Sequence, residues 1–316
     1  MVYKTVDYPE VIEDSVLTLR KHMILFVPNI ILVLISTLLF ILFFHLSGLA
    51  EMLTLKPYLL DDPIALRESF ASLSATPQFA IALLTFLVAE ILLSAFFLVM
   101  KFGMIRDVVK KGKTTLSSGA EFAEKNYLNF IVVYLAVRAI IYIPLLVLLF
   151  IYFMTVRVNE YLFFGQFLMG LFGVIWLFYA IVMTIRLLFV YPVMTFEHDR
   201  FFNVIGHEFH YVKTHTTHTL VSFLIVLVVI FAYAFIRESV NIFGFDVQSY
   251  VLIIILTILL VALEIAVTTW EHVFIFKSYT ESRKIDRLVK GSKSKKGQTK
   301  KSTPKKKKST PKKSNS

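Results

Sequence analysis

Histidines and carboxylates crowd one short segment of this chain. Five of its eight histidines, His198, His207, His210, His215 and His218, fall between residues 198 and 218, with Glu197, Asp199 and Glu208 among them. Imidazole and carboxylate together suit zinc, and on a helix His207 and His210 share a face. The segment holds no H-E-x-x-H, and Thr214, Thr216 and Thr217 dilute its second half. His207, His210, His215 and His218 are the candidate metal ligands. Two competing readings are ordinary interfacial side chains beside lipid headgroups and a histidine-based response to pH.

A second group consists of charges inside apolar stretches: Glu90, Arg138, Arg186 and Glu264. A charge at a helix centre in a bilayer costs about 2.5–3.5 kcal/mol on insertion scales. Glu90 and Arg138 lie at matched depth on successive helices of opposite direction, which predicts a buried pair. Arg186 and Glu264 form a second expected pair, with snorkelling to the interface as the other option for Arg186. Such pairs either line a path for an ion or substrate or hold helices in register.

The third group is a run of lysines. Residues 291–316 carry eleven lysines and no acid, with STPKK at 302–306 and again at 309–313. Outside that tail, basic and acidic residues are equal in number, so the net charge of +11 belongs to the tail alone. It lacks apolar residues for a core and reads as disordered. Lys305, Lys306, Lys307, Lys308, Lys312 and Lys313 would attract an anionic partner: lipid headgroups, ribosomal RNA or DNA. No aromatic is interleaved, so base stacking is not supported.

No other chemistry is signalled. Without cysteine there is no disulfide, thiolate ligand or thiol nucleophile. No phosphate-binding loop, dinucleotide fingerprint or G-x-S-x-G occurs, and no carboxylates are paired for hydrolysis. The expectation is a protein that is not an enzyme and uses no cofactor.

The elements that must position these groups are membrane helices. The chain is 57% hydrophobic and 17% charged, with mean hydropathy +0.73, against about 45–50% and about 25% in soluble domains. Its apolar residues fall in blocks long enough for a core about 30 Å thick. Six spans are predicted, at about 23–46, 80–102, 127–154, 161–190, 218–236 and 250–276. The first starts behind a charged amphipathic segment and exceeds a cleavable signal core. The fifth is the shortest and is predicted to lie shallow or re-entrant. Residues 1–290 form the membrane domain and 291–316 the tail. The 101–126 segment carries Lys101, Arg106, Lys110, Lys111, Lys113 and Lys125, whereas 47–79 has only Lys56 and Arg67 against four acids. The positive-inside bias therefore places both termini and the 101–126 and 191–217 segments in the cytoplasm of a cell-membrane protein.

An internal repeat links the spans. Ile12, Val16, Leu19 and Met23 are spaced i, i+4, i+7, i+11 before the first span. Leu116, Ala120, Ala123 and Tyr127 repeat that spacing before the third, and Ile205, Phe209 and Val212 begin it before the fifth. Lys21–His22, Lys125–Asn126 and Thr214–His215 follow at the same offset each time. Ser118 and Glu121 fit a capping box. This predicts an all-α integral membrane fold of three units, each an amphipathic interfacial helix leading into a transmembrane hairpin. The fourth span carries Gly165, Gly170 and Gly173 for close packing, and Pro144 predicts a kink in the third. In the segments TTLSSGAEFAEKNYLNFIVVYL and FFNVIGHEFHYVKTHTTHTLVSFL the chain resembles a set of uncharacterised prokaryotic six-span proteins. That set includes the membrane domain joined to some glycerophosphodiester phosphodiesterases. The resemblance covers about 1–280 and implies architecture, with no catalytic residues to carry over.

Three functions stay open. The first is a non-enzymatic protein that organises components at the membrane through its basic tail. The second is a small permease or channel using Glu90, Arg138, Arg186 and Glu264. The third is a metal-dependent membrane enzyme centred on residues 197–218.

The topology is directly testable because the chain has no thiol background. A cysteine placed at Asp62 should react with a membrane-impermeant maleimide in intact cells, and one at Lys111 should react only after permeabilisation. The opposite pattern would invert the orientation.

Overall fold

The computed structural model describes residues 6–55, 62–158, 162–197, 201–246 and 250–299, and their side chains except at 55, 63, 152–158, 162–166, 201–202, 243–246, 250 and 288–299. These residues form α1 (Tyr8–Lys21), a 3-10 turn (Met23–Phe26), α2 (Val27–Leu46), α3 (Leu49–Leu55), α4 (Pro63–Ser74) and α5 (Pro77–Lys111). There follow α6 (Leu116–Val158), α7 (Leu162–Arg186), α8 (Val190–Glu197), α9 (Phe201–Thr214), α10 (Thr216–Asp246) and α11 (Tyr250–Thr299). No strand occurs among the described residues. Six stretches are long and apolar enough to cross a bilayer: Met23–Leu46, Pro77–Lys111, Leu116–Ile151, Phe167–Glu197, Thr216–Ile242 and Val251–Arg287. The chain is an all-α, multi-pass membrane protein.

Two boundaries differ from expectation. The fifth span is not short, since α10 is 31 residues long, enough to cross a bilayer. α11 passes through Gly291 to Thr299, because lysine favours helix and one glycine costs only about 1 kcal/mol. Residues 300–316, with Lys305, Lys306, Lys307, Lys308, Lys312 and Lys313, lie outside the described residues.

The amphipathic elbows are real, but their buried face is turned by one residue. Ser15, Thr18 and Leu19 are buried in α1, Gly119, Phe122 and Ala123 in α6, and Glu208, Tyr211 and Val212 in α9. These three sets occupy the same positions of the repeat. Val16 and Met23, assigned to the packed stripe from sequence, are 44% and 70% exposed. In a membrane an apolar stripe faces lipid as readily as protein, and here the smaller or polar face meets the protein. The elbow is a separate helix in two units only. α1 ends at the non-helical His22 (φ −127°, ψ 60°), and a 3-10 turn leads into α2, whose first turn holds Pro28. α9 ends where Thr214 and Thr216 hydroxyls turn back onto carbonyls of the preceding turn. α6 lacks both devices and runs unbroken from elbow into span. Its start is capped reciprocally by Thr115 and Ser118 (3.1 and 3.2 Å), while Glu121 pairs with Lys125.

Each elbow packs on the second hairpin helix of the preceding unit, which closes a ring. α1 lies against α11, where Lys277 bonds Asp14 and Thr18. The start of α6 lies against α5 at close range: a Cβ on Gly103 would meet Phe122 at 2.6 Å, and one on Gly119 would meet Met104 at 2.5 Å. α9 lies against α8, where Glu208 accepts the Phe189 N–H at 2.9 Å. In the middle Phe102 of α5 lies 5.2 Å from Tyr191 of α8 and 5.0 Å from Phe276 of α11. Gly170 and Gly173 play no packing part, since a Cβ on either would meet nothing within 4 Å.

Pro144 sits inside α6 without ending it. Having no N–H, it leaves the Ile140 carbonyl without its helical donor. Tyr179 of α7 supplies one at 2.8 Å, and the neighbouring Ile141 carbonyl accepts from Trp176 Nε1 at 3.0 Å. In hydrocarbon every backbone polar group needs a partner, so these two bonds fasten α7 to α6. Tyr179→Phe should lower unfolding free energy by about 1–3 kcal/mol in detergent micelles. In a Pro144→Ala background, which restores the missing N–H, the loss should largely vanish. An equal loss in both backgrounds would refute the link.

Candidate functional site

The expected pair of Glu90 with Arg138 does not form. Glu90 on α5 accepts from Ser36 of α2 at 2.9 Å and from Ser94 at 3.2 Å. Glu264 on α11 likewise accepts from Tyr233 of α10 at 3.1 Å and not from Arg186. Positions of α5 and α11 correspond at a constant offset: Val99 with Val273 and Phe102 with Phe276, all fully buried. Glu90 and Glu264 correspond at that same offset. Each carboxylate therefore does one job, clasping its own hairpin through a hydroxyl on the first helix. Serving their own hairpins, neither carboxylate reaches an arginine on another unit.

Arg138 is left facing a cavity. The cavity measures about 430 Å3 and is bounded by α2, α5, α6, α8 and α11. Arg138, Lys101 and His272 line it, with hydroxyls of Ser94, Tyr134, Tyr191 and Thr268 between them. The Arg138 guanidinium stacks 4.6 Å over the Tyr134 ring, and among the described residues it has no ion-pair partner. Lys101 is only 1% exposed. Its Nζ donates to Asn29 Oδ1 at 3.0 Å, and Asn29 Nδ2 donates to Thr269 Oγ1 at 3.0 Å, joining α5, α2 and α11. His272 lies edge-on to Phe102 at 5.0 Å. Glu271 is the one acid whose charge is felt at Lys101, without an ion pair within 4 Å. The site thus presents cations and hydroxyls in a largely apolar wall, a chemistry suited to a small anion.

Lys101 and His272 were missed from sequence. Lys101 had been counted with the loop lysines, yet Phe97–Met100 and Phe102–Ile105 enclose it with apolar residues and one glycine. His272 and Glu271 sit between Trp270 and Val273 inside the sixth apolar block. Both signals were readable.

The histidine segment forms a different site at the elbow end. His207 and His210 line a cavity of about 510 Å3 with Glu197, Tyr279, Arg283 and Asp286. Glu197 organises it: Tyr279 Oη donates at 2.6 Å, Arg283 pairs with the same oxygen, and His207 Nδ1 lies 3.5 Å from the other. His215 Nε2 lies 3.1 Å from Asp286, and His218 Nδ1 lies 2.7 Å from Tyr8 Oη. His215 and His218 have thus gone to different partners. Among the described residues no three histidine or carboxylate side chains assemble as a metal site, so His207, His210, His215 and His218 are not one ligand set. His198 and Asp199 lie outside the described residues. Thr214, His215 and Asp286 stand in the order of nucleophile, base and acid, with Thr214 Oγ1 2.8 Å from His215 Nδ1. The Thr214 hydroxyl, however, also bonds the His210 and Tyr211 carbonyls of its own helix at 3.1 and 2.9 Å. That geometry closes the end of α9 and activates nothing.

Glu208 is the buried carboxyl group of α9. Its side chain is fully buried, with Oε1 on the Phe189 N–H at the break before α8 and Oε2 unbonded. Burial pushes its carboxyl up to about 8, opposed by the bond from Phe189 and aided by the charge of Glu197. No protein family, curated protein or solved structure matches the chain.

The raised carboxyl makes stability depend on pH. The folded state keeps a proton that the unfolded chain releases near the ordinary carboxylate range. This stabilisation is full below that range and is lost as pH rises through about 8. The melting temperature should therefore fall between about pH 5 and about pH 8.5. Glu208→Gln keeps an acceptor for Phe189 and should flatten that fall. Every other ionisable group is common to the two proteins, so the difference between the two curves is the measurement. Parallel curves would show that Glu208 is ionised in the fold.

Proposed function

We propose that this protein is a non-enzymatic permease of the cell membrane that binds a small anion in the cavity between α2, α5, α6 and α11. One observation carries the reading: Arg138, within a spanning helix, faces a cavity that Lys101 and His272 also line, and it has no acid partner among the described residues. An unpaired guanidinium in a membrane is costly, and a bound anion offsets that cost. The apolar part of the wall, from Leu32, Leu98, Val137 and Ile141, favours a carboxylate or phosphate that carries a short apolar group. With both termini cytoplasmic, the lysine-rich tail would add attraction to anionic headgroups. An organising role through that tail is the second reading, favoured by its eleven lysines.

The test uses the full chain in detergent, with octanoate and inorganic phosphate as probes. One of the two should raise the melting temperature saturably. Arg138→Gln should weaken that response between about tenfold and about a hundredfold, the value of one charge-assisted hydrogen bond. The same variant should melt higher than the wild type without anion, since the unpaired charge is gone. Uptake of the active probe into reconstituted vesicles then separates a carrier from a static binder. Equal responses in both proteins, or none in either, would overturn the reading.

A further inference from the structure

Arg186, another arginine without an ion-pair partner among the described residues, marks a further site. Arg186 ends α7 and lines a cleft of about 670 Å3 with Lys213 near the end of α9 and Thr216 at the start of α10. Val182, Ile185, Phe209 and Val212 form its walls, and among the described residues no acid lines it. Both cations are exposed, and among the described residues neither has an ion-pair partner. We propose that this cleft binds the headgroup of an anionic phospholipid.

Position, charge and wall chemistry all favour that occupant. Lys213 and Thr216 flank the residue where the elbow gives way to the span, so Arg186 opposite them stands at headgroup depth. A lipid phosphate would meet the two cations, while its acyl chains run along Val182, Ile185 and Phe209. A free anion would leave those walls uncovered. Phe209 belongs to the apolar stripe of the third elbow, the face turned away from the α8 contact.

The other two elbow seams show why this one is open. At each of them one seam cation is met within the protein: Lys277 by Asp14 and Thr18, and Arg106 by Asp107 at 3.1 Å. At the third seam the chain breaks between α7 and α8, and Glu208, the acid of α9's buried face, is spent on the Phe189 N–H. Among the described residues no carboxylate pairs with Arg186 or Lys213.

The experiment measures melting of the delipidated full chain in detergent on adding phosphatidylglycerol, phosphatidylcholine or inorganic phosphate. Phosphatidylglycerol alone should stabilise, saturably. The half-saturating concentration should rise about fivefold in Arg186→Gln or Lys213→Gln and about thirtyfold in the double variant. Lys284→Gln, an exposed lysine on α11, should respond as the wild type does, and circular dichroism should show unchanged helix in all. An equal response to phosphatidylcholine, an equal response in the double variant, or the same shift with phosphate would overturn the proposal. Arg138→Gln separates the two sites: if it abolishes the lipid response, the lipid occupies the intramembrane cavity and the cleft is not the site.

Discussion

Everything in this molecule depends on how each elbow helix seats on the second helix of the preceding unit. Lipid is as apolar as leucine, so the spans gain little hydrophobic free energy by meeting one another. Leu34, Leu38, Leu84 and Phe235 are accordingly exposed on the span surfaces. What orients the three hairpins is the layer where α5, α8 and α11 receive the elbows. That layer needs close approach, and equivalent positions achieve it by different means. Ser15 folds its hydroxyl onto the Val11 carbonyl at 2.6 Å. Gly119 has no side chain to accommodate. Glu208 reaches the free N–H of Phe189 and needs a proton to remain buried.

Within the spans the governing constraint is polar satisfaction, and several groups meet it locally, while Trp270 Nε1 and His272 Nδ1 are buried without a partner among the described residues. The carbonyl freed by Pro144 takes a tyrosine hydroxyl. Glu90 and Glu264 take hydroxyls from their own hairpins. Lys101 takes Asn29. Arg138 meets only the face of Tyr134, a cation–π contact worth less than a charge-assisted hydrogen bond. A guanidinium held within a span on one ring face is where a functional reading has most physical support.

The fold was largely legible in the sequence because hydrocarbon thickness imposes a length that apolar blocks must meet. The spans and three-unit plan followed from block length and from the offset linking His22, Asn126 and His215. The elbow register did not, because an apolar stripe says nothing about whether lipid or protein covers it. Val16 and Met23 went outward while Ser15 and Thr18 went in. The charge pairs were misassigned for a related reason. Matched depth brings Glu90 and Arg138 level without fixing which way each points, and two serines within reach of Glu90 outcompeted a residue on another face. The histidine cluster was legible as a cluster, but its division among Glu197, Asp286 and Tyr8 depends on α1 and α11, remote in sequence.

The repeat also explains why the two sites arise where they do. Positions shared by the units build the scaffold: Val99 with Val273, Phe102 with Phe276, Glu90 with Glu264. Positions that differ supply the chemistry. At the offsets that align the units, Arg138 stands where the other two have Leu34 and Leu227, Lys101 where α11 has Ile275, and His272 where α5 has Leu98. A ring of three identical units would hold only apolar residues at those places and would need no ligand. Because Arg138 stands at a position that the scaffold tolerates as leucine, it is not required for the helices to pack. A packing role therefore accounts poorly for Arg138, and its presence in the cavity is better explained by what it attracts.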